Sequence, residues 1–319
     1  MDGIYIFIYL YISLYLLLYL YLYNIIIIIK ANLLISIYSA MIYIEIMGGL
    51  GNQLFQIFCG IAYSLENKIP FKINATKFDL VSPVDNISKR PTYWNSFLSN
   101  LSVFTYQQQL QIPIYNEPAF IYNKIPYITQ DFKLRGYYQS YKYFETQYAN
   151  ICKIINLDNQ KVLVKAKYNH YFNNKKIICI HFRIGDLKNN NGHGPVIDDK
   201  YSITCLNYMK ENLPDFSNYE ILYFGEKEDN TLIESFIAKI NIEFKNKYTI
   251  IDYAIPDWEQ LLLMSLCSHN IIANSTFSWW GAYFNTNSIK IVCYPALWFG
   301  KNCANDTKDL FPESWIKIL

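Results

Sequence analysis

The chain has 319 residues, more than one hydrophobic core usually organises, so two domains of ordinary size are expected. Its 28 basic and 26 acidic residues leave a net charge of +2 with no Lys/Arg-rich run, which argues against a nucleic-acid partner. The seven cysteines are odd in number and form no CxxC or Cys/His cluster of metal-ligand spacing, so they read as mostly buried free thiols suited to a reducing compartment, and no metal is expected.

Residues 1–40 differ in kind from the rest. No charged residue occurs from Gly3 to Ile29, and an uncharged apolar run of that length exceeds the roughly twenty residues a helix needs to cross a bilayer. A single-pass membrane attachment through residues 4–29 is therefore expected. Against it stand tyrosines in the middle of the run (Tyr9, Tyr11, Tyr15, Tyr19) and the lone flanking cation Lys30. The alternative is a dispensable extension, with translation from Met41 and a cytoplasmic protein. A cleaved signal peptide fits poorly, since the basic n-region is missing.

From Met41 strands alternate with helices, the pattern of a parallel sheet covered on both faces. Ile42 to Met47 reads as a strand, Asn52 to Glu66 as a helix and Pro70 to Ile73 as a strand. Residues 76–148, rich in aromatics and prolines, have no clean period. Within them LRGYYQSYKYF (Leu134 to Phe144) interleaves aromatics with Arg135 and Gln139, mostly as packing. After a helical stretch at 146–171 the alternation resumes. Strands are expected at Lys176 to Arg183, Tyr219 to Phe224, Tyr248 to Asp252, Asn270 to Ala273 and, last, Ile289 to Tyr294. Helices fall between them at Lys200 to Asn212, Asn230 to Ile240, Pro256 to Cys267 and Thr276 to Phe284. Such a doubly wound domain holds its ligand beyond the carboxyl ends of its strands.

Three motifs fall at such edges. HFRIGD delivers His181, Arg183 and Asp186 at a strand end, and a guanidinium there can hold two phosphate oxygens without losing its proton. Arg183 paired with Asp186 in an ordinary salt bridge is the plain alternative. In IIANSTFSWWGA, Asn274, Ser275 and Thr276 precede a helix whose N-terminus offers free N–H groups to phosphate oxygens, while Trp279 and Trp280 read as packing. GGLGNQ fails the dinucleotide fingerprint but leaves a glycine turn, Gly49 and Gly51 with Asn52 and Gln53, that lets backbone approach a hydroxyl-rich or diphosphate-bearing ligand.

Together with GYYQSYKYF (Gly136 to Phe144), the block from Met264 to Ala282, Trp298–Phe299 and Pro312 to Trp315, these motifs resemble the family 11 glycosyltransferases, the α-1,2-fucosyltransferases, in order from Met41 to Leu319. The resemblance implies an α/β fold of GT-B type, two Rossmann-like lobes facing a cleft, here with an N-terminal hydrophobic segment. Residues 41–165 would form the acceptor-side lobe and 166–319 the lobe that binds GDP-fucose. It implies metal-independent, inverting transfer of L-fucose to a galactose-containing glycan, usually at the 2-hydroxyl. Arg183, Ser275 and Thr276, with His181 and Asn274, would grip the donor, and Asp186 is a candidate base. The chain departs from the pattern twice. Ile184 replaces a second arginine, for which Lys188 or His193 could compensate, and FGEKED (Phe224 to Asp229) offers Glu226 for the nucleoside. Another fucose linkage, or a glycan-binding module without turnover, are the alternatives.

Overall fold

The computed structural model describes residues 14–25, 40–75, 79–81, 89–187, 194, 196–300, 303 and 305–319, with the backbone alone at 79–81, 89 and 186. Residues 14–25 form a helix, α1, whose Leu14 to Tyr23 are all exposed. Among the described residues no helix is long and apolar enough to cross a membrane. A helix rises about 1.5 Å per residue, so α1 falls well short of a hydrocarbon layer of about 30 Å. The expectation of a single-pass protein is therefore overturned. Residues 4–13 and 26–29 of the expected span lie outside those described.

The N-terminal half builds one sheet. Strand β1 (Ile42–Ile44) runs through a glycine turn into helix α2 (Leu50–Asn67), and β2 (Phe71–Asn74) follows. A short antiparallel ladder of β3 (Asp79–Val81) and β4 (Lys89–Pro91) stands apart from it. The remaining strands are β5 (Thr105–Tyr106), β6 (Ile114–Asn116) and β7 (Phe132–Arg135). All five pair in parallel in the order β5-β2-β1-β7-β6. Ile42, Ile44, Ile73, Phe132 and Leu134 are buried, whereas Tyr43, Lys72, Asn74 and Lys133, which alternate with them, are half-buried. The strands β5 to β7 fall where the sequence has no clean period, because two to four residues are too few to display one.

Helices α3 (Tyr148–Ile154) and α4 (Leu157–Lys167) lead to the second sheet. Its strands are β8 (Lys176–His181), β9 (Tyr219–Phe224), β10 (Tyr248–Ile250), β11 (His269–Ile271), β12 (Val292–Pro295) and β13 (Ile316–Ile318). Between them run α5 (Asp199–Asn212), α6 (Asn230–Glu243), α7 (Asp257–Ser265) and α8 (Thr276–Tyr283). The order β10-β9-β8-β11-β12-β13, all parallel, is that of a Rossmann sheet. The strand expected to be last is β12. Beyond it the three-residue β13, too short to announce itself, forms the edge.

Two Rossmann-like lobes therefore make up the molecule, the architecture described as GT-B, and one apolar cluster joins them. Phe55 and Phe58 of α2 meet Trp279 and Trp280 of α8 at centroid distances of 4.5 and 4.6 Å, and Phe144 stacks on Trp280 at 5.2 Å. Both tryptophans are fully buried, as large aromatics on a helix between layers usually are. All seven cysteines are free thiols, and five of them are buried.

Candidate active site between the lobes

Each sheet reverses its winding once, between β1 and β7 in the first lobe and between β8 and β11 in the second. Ligands of doubly wound sheets sit at such reversals, outside the carboxyl ends of the strands. In this chain the two reversals face each other, because α2 follows β1, α8 follows β11, and these helices pack together with their N-termini adjacent. A Cβ added to Gly51 would lie 2.4 Å from the carbonyl carbon of Thr276, so only glycine permits this approach. The indole N–H of Trp280 donates to the Gly51 carbonyl at 2.9 Å and fixes it.

On the second lobe, β8 stays in register with β9 through His181, and the Phe182 N–H still reaches Phe224 O at 2.8 Å. Arg183 comes next. Its Nη1 donates to the carbonyl of Asn274 at 2.6 Å, spanning the reversal from the end of β8 to the loop after β11. Ser275 caps α8, its hydroxyl accepting the Phe277 N–H at 3.3 Å. Thr276 reaches the other lobe, its hydroxyl donating to Asn52 Oδ1 at 2.9 Å, and Gln139 Nε2 donates to the same oxygen at 3.0 Å. The buried Asn274 turns its amide inward to the Trp298 carbonyl at 3.3 Å, supporting the loop from behind.

The His181 ring lies 5.8 Å from that of Phe277, beside the α8 N-terminus, and its Nδ1 is buried with no hydrogen-bond partner among the described residues. Burial, reinforced by the Arg183 charge, pushes its pKa down to about 3, so the imidazole is neutral near pH 7. A Cβ on Gly185 would lie 2.5 Å from Glu226 Oε2 and 3.4 Å from Asp229 Oδ2, which places both carboxylates against the turn after β8. Ile184 is buried in the apolar cluster that holds Phe182 and Met209, so this side chain fills core. Asp186 lies in a 3-10 turn (Gly185–Leu187), but its side chain, like the whole of Lys188 and His193, lies outside the described residues.

Arg183, Ser275, Thr276, Gly51 and Asn52 thus converge from two lobes. Gly49 is the N-cap of α2, where no side chain accepts a first-turn N–H. Gln53 does something different. It is fully buried, and its Nε2 donates to the carbonyls of Gly48 and Pro91, each at 2.9 Å, which holds the turn's shape. Sequence reasoning missed Asp229, whose signal was the acidic run after β9, and Glu117, which ends β6 in the region without a period. Among the described residues no group of three His, Cys, Asp or Glu could hold a metal ion.

Over residues 86–318 the chain matches the family Glycosyl transferase family 11. It is 27% identical to the O-antigen biosynthesis glycosyltransferase WbnK of Escherichia coli over 323 aligned residues, covering 86% of this chain and all of that one. It is 25% identical to an alpha-1,2-colitosyltransferase of the same organism, covering 88% and 99%. Among solved structures it is similar to the fucosyltransferase NodZ from Bradyrhizobium, with a TM-score of 0.44, 10% identity and coverage of 76% and 93%. It is also similar to the E. coli ADP-heptose heptosyltransferase II, with a TM-score of 0.43, 10% identity and coverage of 88% and 90%. The family match takes in most of the chain, and with it every strand from β4 to β13: this protein belongs to glycosyl transferase family 11.

Proposed function

We propose that this glycosyltransferase moves L-fucose from GDP-fucose to the 2-hydroxyl of a galactoside, with inversion and without a metal. The observation that supports the reading best is the 2.6 Å bond from Arg183 Nη1 to the Asn274 carbonyl. It anchors a permanent cation at the switch point, beside a helix N-terminus, where the departing diphosphate gathers charge. A group held in place before the reaction stabilises that charge without reorganising, which is usually the largest electrostatic contribution to catalysis. Arg183 with Ser275, Thr276 and the first turn of α8 grips the diphosphate. His181, neutral, borders it, Glu226 takes nucleoside hydroxyls, and the glycine turn with Asn52 closes the site from the acceptor side. The acceptor oxygen attacks the anomeric carbon in line as GDP leaves.

A donor lacking the 3-hydroxyl, colitose in place of fucose, is the second reading, favoured by the similarity to an alpha-1,2-colitosyltransferase. The two sugars are separated by one hydroxyl, and a site built to hydrogen-bond that hydroxyl rejects the analogue strongly. Incubation with GDP-fucose and GDP-colitose against a panel of galactosides, followed by linkage analysis of the product, tests both. Transfer to the 2-hydroxyl from GDP-fucose is expected; binding of either donor without turnover would turn the protein into a glycan-binding module.

A further inference from the structure

Transfer to a sugar hydroxyl needs somewhere for its proton to go, and the first lobe carries a carboxylate suited to receive it. Glu117 follows β6 at the carboxyl edge of the sheet, its own N–H held by Arg135 O at 2.9 Å. Its Oε2 accepts the Tyr137 N–H at 2.7 Å, and a Cβ on Gly136 would lie 2.8 Å from that oxygen, so the carboxylate is held over the turn after β7. Two contacts with the donor lobe flank it. Two residues past Tyr137, Gln139 joins Asn52 and through it Thr276. Three residues past Glu117, Phe120 packs edge-to-face with Phe299 at 5.0 Å.

Other carboxylates at this edge are occupied. Glu45 accepts from Asn74 at 2.8 Å and from Tyr106 at 3.2 Å, and Lys133 lies 4.0 Å away. Among the described residues no cation pairs with Glu117. Burial raises its carboxyl pKa, against the opposing pull of the Tyr138 and Tyr137 N–H groups. A carboxylate whose pKa is raised holds a proton more readily, as a group that accepts one in a reaction must.

We propose, on the transferase reading above, that Glu117 is the general base of the reaction. The acceptor hydroxyl gives its proton to the Glu117 carboxylate while the hydroxyl oxygen bonds to the anomeric carbon. The bond from that carbon to the diphosphate oxygen breaks, and its electron pair leaves with GDP. The proton then passes from the carboxyl to solvent.

The test is Glu117→Gln in the full chain, which keeps the shape and an oxygen for the Tyr137 N–H and removes the basicity. With GDP-fucose and a galactoside that the wild type accepts, kcat should fall by about a hundredfold or more. Calorimetric affinity for GDP should stay within about threefold, as expected of a group that acts only in the chemical step. The acidic limb of the kcat profile, present in the wild type, should vanish in the variant. A variant whose kcat stays within about threefold, or that keeps the acidic limb, overturns the assignment and leaves Glu117 a turn-holding residue. Loss of GDP affinity equally overturns it. A wild type that binds no GDP and turns over no donor overturns the transferase reading, and this inference with it.

Discussion

The two sheets solve the same problem differently. In the second lobe, Ile177 to Ile180 of β8 and Ile221 to Phe224 of β9 are buried without a break, with Ile178, Ile180, Ile221 and Tyr223 in one apolar cluster and Ile177, Cys179, Leu222 and Phe224 in the other. That is the normal state of a parallel sheet, covered on both faces. In the first lobe the strands alternate, buried Ile42, Ile44 and Leu134 against half-buried Tyr43, Glu45 and Lys133, as in an antiparallel sheet with one wet face. Its buried face joins the second lobe through the packing of α2 on α8, in the same cluster that holds Ile177, Cys179, Leu222 and Phe224. The second lobe thus has one core of its own and shares the other with the first lobe, and the shared cluster lies where the two sheet reversals meet.

If the donor lobe carries the charge stabilisation by itself, Arg183→Ala should lower kcat/KM for GDP-fucose by about a thousandfold, the size of effect seen for lost transition-state donors. The thermal midpoint should barely change, since the side chain is only partly buried. Turnover within tenfold of wild type would strip the second lobe of that role. Next in size, Trp280→Ala removes the ring that Phe55, Phe58, Phe144 and Phe284 all touch, together with the bond to Gly51 O. A loss of about 3–5 kcal/mol in denaturant unfolding is expected. If the acceptor lobe depends on this shared core, amide exchange in β1 and β7 should accelerate more than in β8 and β9; equal acceleration would show two lobes that stand or fall together.

The same contrast explains what could be read in advance. Most elements of the second lobe were legible, though not β13: β9 falls at Tyr219–Phe224 as its apolar run indicates, and α8 at Thr276–Tyr283 behind its Ser275 cap. Continuous burial produces continuous apolar sequence. β5, β6 and β7 were not legible, because strands of two to four residues with one polar face leave too few apolar positions to separate them from loop. Arg183, Ser275 and Thr276 could be named because strand ends and helix caps have residue signatures. Their partners could not: Asn52 and Gln139 are 87 residues apart, and Asn52 and Thr276 224 apart, separations that no local pattern encodes. Glu117 was missed for the first reason, since it follows a three-residue strand.

A smaller perturbation probes the seam alone. Thr276→Val keeps the β-branched shape and removes the hydroxyl that donates to Asn52 Oδ1. A loss of about 1 kcal/mol is expected, the net value of one such bond. Because Gln139 still holds Asn52, the loop should keep its place, and Gln139→Ala combined with Thr276→Val should cost more than the sum of the single changes. Additive losses would mean that Asn52 does not act as a shared node.

The gentlest test uses pH, and it bears on the donor lobe only. His269 of β11 is fully buried; its Nδ1 accepts the Ile291 N–H at 3.0 Å, so the ring proton sits on Nε2, 3.2 Å from the Tyr219 hydroxyl. Burial pushes its pKa down to about 4, and that of His181 to about 3. Both are depressed from an ordinary value of 6.5, so between the folded and unfolded pKa values the unfolded chain binds more protons. Stability from these groups is complete above about pH 6.5 and is lost as the pH falls through the folded values. Protonating His269 also removes the acceptor for Ile291, which loosens the β11–β12 edge. Thermal midpoints measured from pH 7 to pH 4 should therefore fall, and His269→Gln, which keeps an amide acceptor but cannot titrate, should flatten the curve. A slope unchanged in that variant would move the acid sensitivity out of β11 and onto His181 beside the site.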